Sequence, residues 1–212
     1  MSNILKNVLH NTWYKWIELS ILYIVLPLLI VLNLVDLKYR WFLFAFTFVY
    51  IALLIKSIRP TLRDFKIIGF ELSKVLMWLL IYISGVLVVV LFLFFQGSIT
   101  FNSSIVYLVV LTAYPLISVP IQEIFFRSFY FYRYNNLANQ YFVIILNILL
   151  FAFYHKIYGG WISVILSLAA GIIITFIYLK YNSYWWACIC HGIFGIIVFI
   201  LGFGKYFTDL IN

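Results

Sequence analysis

Residues Trp161–Leu179 read WISVILSLAAGIIITFIYL, nineteen in a row without a charged side chain. A helix rises about 1.5 Å per residue, so such a run comes close to spanning the roughly 30 Å hydrocarbon core of a bilayer. Only a helix lets one segment in lipid satisfy all of its own backbone N–H and C=O groups. The stretch therefore sets the fold class. On either side of it lie comparable apolar runs at Leu19–Val35, Trp41–Ile55, Val75–Phe95, Ile105–Ile121, Tyr141–Tyr154 and Tyr184–Phe203. The expectation is an all-α, polytopic membrane bundle of about seven transmembrane helices. The runs at Trp41 and Tyr141 are short, and reach full length only if Tyr39, Arg40, Asn139 and Gln140 sit at the interface.

Composition agrees with this reading. The 212 residues are 67% hydrophobic and 9% charged, with a mean hydropathy of +1.13. Twenty charged side chains cannot clothe a domain of this size in water, which excludes a soluble globular protein and makes lipid the partner of most of the exterior. The net charge of +8 comes from basic residues scattered between apolar runs, with no stripe to follow a phosphate backbone, so nucleic acid is not an expected partner. The charge is better used for topology. With the N-terminus inside, Lys6, Lys15, Lys56, Arg59, Arg63, Lys66, Lys74, Arg127, Arg133 and Lys180 fall on the inner side and Lys38, Arg40, Lys156 and Lys205 on the outer, a ten to four split. The first apolar run continues to Val35 without a small-residue cleavage site and reads as a retained anchor. The segment Lys56–Lys74 carries Ile58, Leu62, Phe65, Ile68 and Leu72 at helical spacing among charges, the pattern of an interfacial amphipathic helix. Cys188 and Cys190 would point about 200° apart on a helix and form neither a disulfide framework nor a metal pair. With no second composition regime and no internal repeat, residues 1–212 read as a single integral membrane domain.

Ionisable groups that a bilayer cannot expel into a loop mark the candidate site. Glu123 and Arg127 lie four apart in PLISVPIQEIFFRSFYFYRY, where carboxylate and guanidinium share a helix face, and Pro115 and Pro120 just upstream predict a kink or widened cavity. His155 closes LLFAFYH, and His191 sits within WWACICHGIFG. One carboxylate and two imidazoles on separate helices suffice to polarise water and stabilise an amide oxyanion, or to hold zinc through Glu123, His155 and His191 with water in the fourth position. Taken singly, each has a plainer reading: an ion pair fixing helix register, an interfacial histidine and a packed core histidine.

These residues, in this order, resemble the CPBP family of intramembrane proteases, which includes the CAAX prenyl endopeptidases and bacterial proteins linked to bacteriocin self-immunity. The family carries EExxxR, FxxxH and HxxxN motifs on separate helices. Here they look like Gln122-Glu123-Ile124-Phe125-Phe126-Arg127, Phe151-Ala152-Phe153-Tyr154-His155, and His191-Gly192-Ile193-Phe194-Gly195. The similarity covers roughly Ile105 to Phe203, a protease-like core. The resemblance implies an endopeptidase acting on peptide or protein substrates, prenylated in the CAAX branch, in the bacterial cytoplasmic membrane. By position, His155 would be the base partner and His191 an oxyanion donor; Glu123 could take over as base, with Arg127 orienting its carboxylate. Two positions depart from the pattern: the leading carboxylate is Gln122, which cannot accept a proton, and the closing amide is Gly195, which has no donor. The alternative is a non-catalytic immunity or scaffold protein that keeps the fold. Counted from a turn at Asn136–Ala138, Glu123 and His155 lie about 21 and 27 Å deep, whereas His191, counted from Asn182, lies only about 14 Å deep. Either a helix tilts, or the segment Tyr130–Gln140 projects beyond the membrane, or His191 belongs elsewhere.

Overall fold

The computed structural model describes residues 3–67, 111–158, 160–200 and 203–207. The expected span Val75–Phe95 lies outside these residues, as do 68–74 of the expected interfacial helix and 105–110 of the fourth run. Every regular element among the described residues is helical. They are α1 (Asn3–His10), α2 (Thr12–Val31), α3 (Arg40–Ile58), α4 (111–134), α5 (Gln140–Tyr154), α6 (Trp161–Tyr181) and α7 (Tyr184–Ile200), with short 3₁₀ turns at Leu37–Tyr39, His155–Tyr158 and Phe203–Tyr206. Three helical stretches are long and apolar enough to cross a bilayer: Thr12–Val31, Gln140–Tyr158 and Trp161–Tyr181. Ala45–Ile58 and Tyr184–Phe199 are shorter and equally apolar. The outward faces stay greasy, with Trp13, Phe42, Tyr141, Trp161 and Ile165 all exposed, as a lipid-facing surface requires.

The links after α5 and α6 are short, which forces α5, α6 and α7 to pack as successive antiparallel neighbours. Asn139 starts α5 by accepting the Phe142 amide, while Asn182 ends α6 in the left-handed conformation at φ 48°. Gly171 lets α6 approach α5 closely, since a Cβ there would lie 3.1 Å from Phe151 Cδ1.

Two expectations are corrected. The first span starts earlier than Leu19 and ends at Val31, because Asn11 caps its N-terminus through the Trp13 and Tyr14 amides. The expected interfacial helix is not helical over 59–67. Pro60 disfavours α geometry in the residue before it, Arg59 turns left-handed at φ 49°, and Asp64 then closes a turn by accepting from the Thr61 amide and hydroxyl.

The helix α4 is continuous from 111 to 134 but widened twice, at Tyr114–Ser118 and Ile124–Phe129, into π-helical turns. Pro115 and Pro120 each lack an amide donor, and the predicted widening is found around them. A π turn loosens the backbone ladder, and in lipid every released carbonyl needs another donor. Side chains from three other helices supply them. Tyr184 Oη donates to Pro120 O at 3.0 Å, Tyr23 Oη to Phe125 O at 2.7 Å and Asn147 Nδ2 to Phe126 O at 2.6 Å. Asn147 is in turn held by Thr175 of α6. These bonds lock α4 against α2, α5 and α7, and fix the face that carries Glu123.

Candidate active site

Glu123 and His191 meet directly. The carboxylate Oε1 of Glu123 accepts from His191 Nδ1 at 2.7 Å, joining α4 to α7, and both side chains are buried. A carboxylate can only accept, so Nδ1 carries the proton and Nε2 is the remaining nitrogen for chemistry. The depth mismatch read from the sequence does not keep the two apart, because this bond brings His191 of α7 onto Glu123 of α4.

Arg127 lies on the other side of the carboxylate, with Nε 3.6 Å from Glu123 Oε2, an ion pair longer than a hydrogen bond. Its guanidinium sits 4.5 Å over the Phe151 ring. Arg127 is fully buried, yet among the described residues Nε and both Nη atoms, together with Glu123 Oε2, have no hydrogen-bond partner. Unmet buried donors and acceptors of this kind are costly in an apolar surround and are characteristic of a site that takes up water or ligand.

His155, at the end of α5, is buried and bonds its Nδ1 to Phe151 O at 2.8 Å. The carbonyl is an acceptor, so again Nδ1 carries the proton and Nε2 is left. Phe151 is the hub of the cluster: its ring centre lies 4.8 Å from the His155 ring, 5.5 Å from the His191 ring and 5.1 Å from that of Phe126. His155 therefore joins the Glu123–His191 pair across an aromatic plate and not by a direct bond. Glu123 Oε1 and both histidine Nδ1 atoms are already committed, and among the described residues no three His, Cys, Asp or Glu side chains gather as ligands.

Gln122 turns away, donating to Ser118 Oγ one turn back at 2.9 Å. Gly195 is buried one turn beyond His191. Residues 102–197 match the family model described as Type II CAAX prenyl endopeptidase Rce1-like. This stretch, a little under half of the chain, is similar to the CAAX protease family. That family is one of proteases, and with its long apolar helices the chain is an integral membrane protein. No curated protein and no solved structure matches the chain. The CAAX protease segment contains Glu123, Arg127, Phe151, His155 and His191, and the fold brings all five into one cluster.

Sequence reading missed a second buried charge. Glu18 of α2 accepts from Arg133 Nε and Nη2 at 2.9 and 3.0 Å, from Tyr134 Oη at 2.7 Å and from Tyr50 Oη at 2.7 Å. Arg133 had been assigned to the inner surface as a topology charge; it is instead buried within α4. The available signal was the burial cost itself, because Glu18 follows the helix start at Thr12 and leads straight into an apolar run.

Proposed function

We propose that this chain is an intramembrane endopeptidase that hydrolyses peptide bonds with a histidine-activated water. The observation that carries the reading is the cross-helix Glu123–His191 bond, buried beside an incompletely paired arginine. His155 Nε2 takes a proton from water as its oxygen bonds to the substrate carbonyl carbon, and the carbonyl electron pair moves onto oxygen. His191, held by Glu123 and protonated on both nitrogens, donates from Nε2 to that oxyanion. The positive charge this places beside Glu123 and Arg127 opposes the charge developing on the substrate. Collapse of the intermediate breaks the C–N bond, and the His155 imidazolium returns its proton to the departing amine. Glu123 is thereby an orienting group, not the base, since Oε1 is occupied by His191 and Oε2 faces Arg127. The chain is read as crossing the bacterial cytoplasmic membrane about seven times with its N-terminus inside.

The test is cleavage of prenylated and unprenylated peptides by purified, reconstituted protein. His155→Ala is expected to lower the rate by about 10²- to 10⁴-fold. Turnover untouched by His155→Ala, His191→Ala and Glu123→Ala would remove the assignment. A second reading, a non-catalytic immunity or scaffold protein, is favoured by the outward turn of Gln122 and the missing donor at Gly195. It predicts that the histidine substitutions leave the cellular phenotype intact while substitutions in helix packing abolish it.

A further inference from the structure

Three rings stand against His155. Centroid distances are 4.8 Å to Phe151, 5.9 Å to Phe207 and 6.1 Å to Tyr158. Phe151 is fully buried and belongs to the interior, whereas Tyr158 is exposed and Phe207 partly so, and these two also touch each other at 6.2 Å. They are therefore the outer layer of the wall around the imidazole. Next to it, Lys156 lies 4.3 Å over the Trp161 ring, a cation on an aromatic at the level where a membrane meets water.

Tyr158 arrives on the turn that begins at His155 itself. Phe207 comes from elsewhere, at the end of the 3₁₀ turn Phe203–Tyr206 that follows α7. Its amide donates to Gly204 O at 2.9 Å, and Gly204 is buried so close to α7 that a Cβ there would collide with the Phe199 ring. Only glycine allows that approach. Tyr206 meanwhile reaches the link between α5 and α6, where a Cβ on Gly160 would rest 3.8 Å from its Cδ1. The segment thus runs from α7 across to His155, and all of it lies beyond the residues 102–197 that match the protease family.

We propose that Phe207 is a positioning residue whose ring screens His155 from bulk water, so that the base meets the water that enters with a substrate. The purpose of the screen rests on the peptidase reading. In a dry site the charges of the reaction are stabilised more strongly than in water, and a solvated base would lose that advantage.

The experiment treats the whole reconstituted chain with diethyl pyrocarbonate, which acylates a reachable imidazole nitrogen, and resolves the three histidines by mass spectrometry. At His155 the nitrogen concerned is Nε2, because Nδ1 is bonded to Phe151 O. Exposed His10 is the reference and buried His191 the control for general loosening. In wild type, His155 is expected to react at least about tenfold more slowly than His10; Phe207→Ala should raise its rate at least about tenfold and leave His191 unchanged. Phe207→Tyr, which keeps the ring, should behave as wild type. Peptide kcat is expected to fall about tenfold in Phe207→Ala with KM within about twofold, and to return in Phe207→Tyr. A His155 rate that ignores Phe207→Ala, or one that rises only together with that of His191, overturns the inference and leaves the peptidase reading standing. A wild type that cleaves no peptide, with His155 still opened by Phe207→Ala alone, removes the peptidase reading and upholds the screen.

Discussion

The protein buries two carboxylate–arginine pairs and treats them in opposite ways. At Glu18, both carboxylate oxygens are met by Arg133 in a two-pronged bond, and Tyr134 and Tyr50 add a further donor each. Tyr14 extends the network through the Tyr50 hydroxyl at 2.9 Å. At Glu123, one oxygen is taken by His191, while among the described residues the other has no hydrogen bond and Arg127 stands off at 3.6 Å with its donors unmet. Desolvation weighs against both pairs equally, so the difference lies in compensation. A closed network of charge-assisted bonds has nothing left to offer a substrate and ties α2, α3 and α4 together. An open one retains donors and a base nitrogen at the junction of α4, α5 and α7. The first is a clamp and the second a reaction site.

Substituting the two carboxylates separates the roles. Glu123→Gln keeps the shape but removes the negative charge that holds the His191 imidazolium, and it is expected to reduce peptide turnover by about 10⁴-fold, the scale seen when the acid of a carboxylate–histidine pair becomes an amide. Its thermal midpoint in bicelles should move less than that of Glu18→Gln. Glu18→Gln strands the Arg133 charge, and is expected to lower unfolding free energy by about 3–5 kcal/mol while turnover per folded molecule stays within twofold. If the stability losses prove equal and the activities follow them, the distinction between clamp and reaction site disappears.

The smallest effect concerns a carboxylate in water. Bonds from the Thr61 amide and hydroxyl, with the nearby Arg63 charge, hold the exposed Asp64 carboxyl below its ordinary range. A group whose folded value is depressed stabilises fully above its unfolded value, and that stabilisation is lost as pH falls through the folded one. Hydrogen exchange at the Thr61 amide, corrected for intrinsic rate, should accelerate on acidification in wild type and be pH-independent in Asp64→Asn. No change in turnover is expected from this turn, in contrast with Glu123.

Much of this contrast could be read in the chain. Glu123, Arg127, His155 and His191 announced themselves because they sit in apolar runs with no neighbouring loop. Glu18 and Arg133 did not, because each lies close to a helix end where a charge ordinarily reaches water. The Glu123–Arg127 spacing suggested a tight local pair, but the π turn at Ile124–Phe129 intervenes and the carboxylate prefers His191.

The sequence alone settled the solvent, the helical class and the residues that chemistry would need, because apolar length and the cost of burying charge are local properties of a chain. Which charge closes upon itself and which stays open was decided only in three dimensions. It depends on the widened turns of α4, on the side chains of Tyr23, Asn147 and Tyr184 that hold those turns, and on glycines that admit a ring at close range. Hydrogen bonds and packing at those distances arise between residues up to a hundred positions apart, and no periodicity along the chain records them.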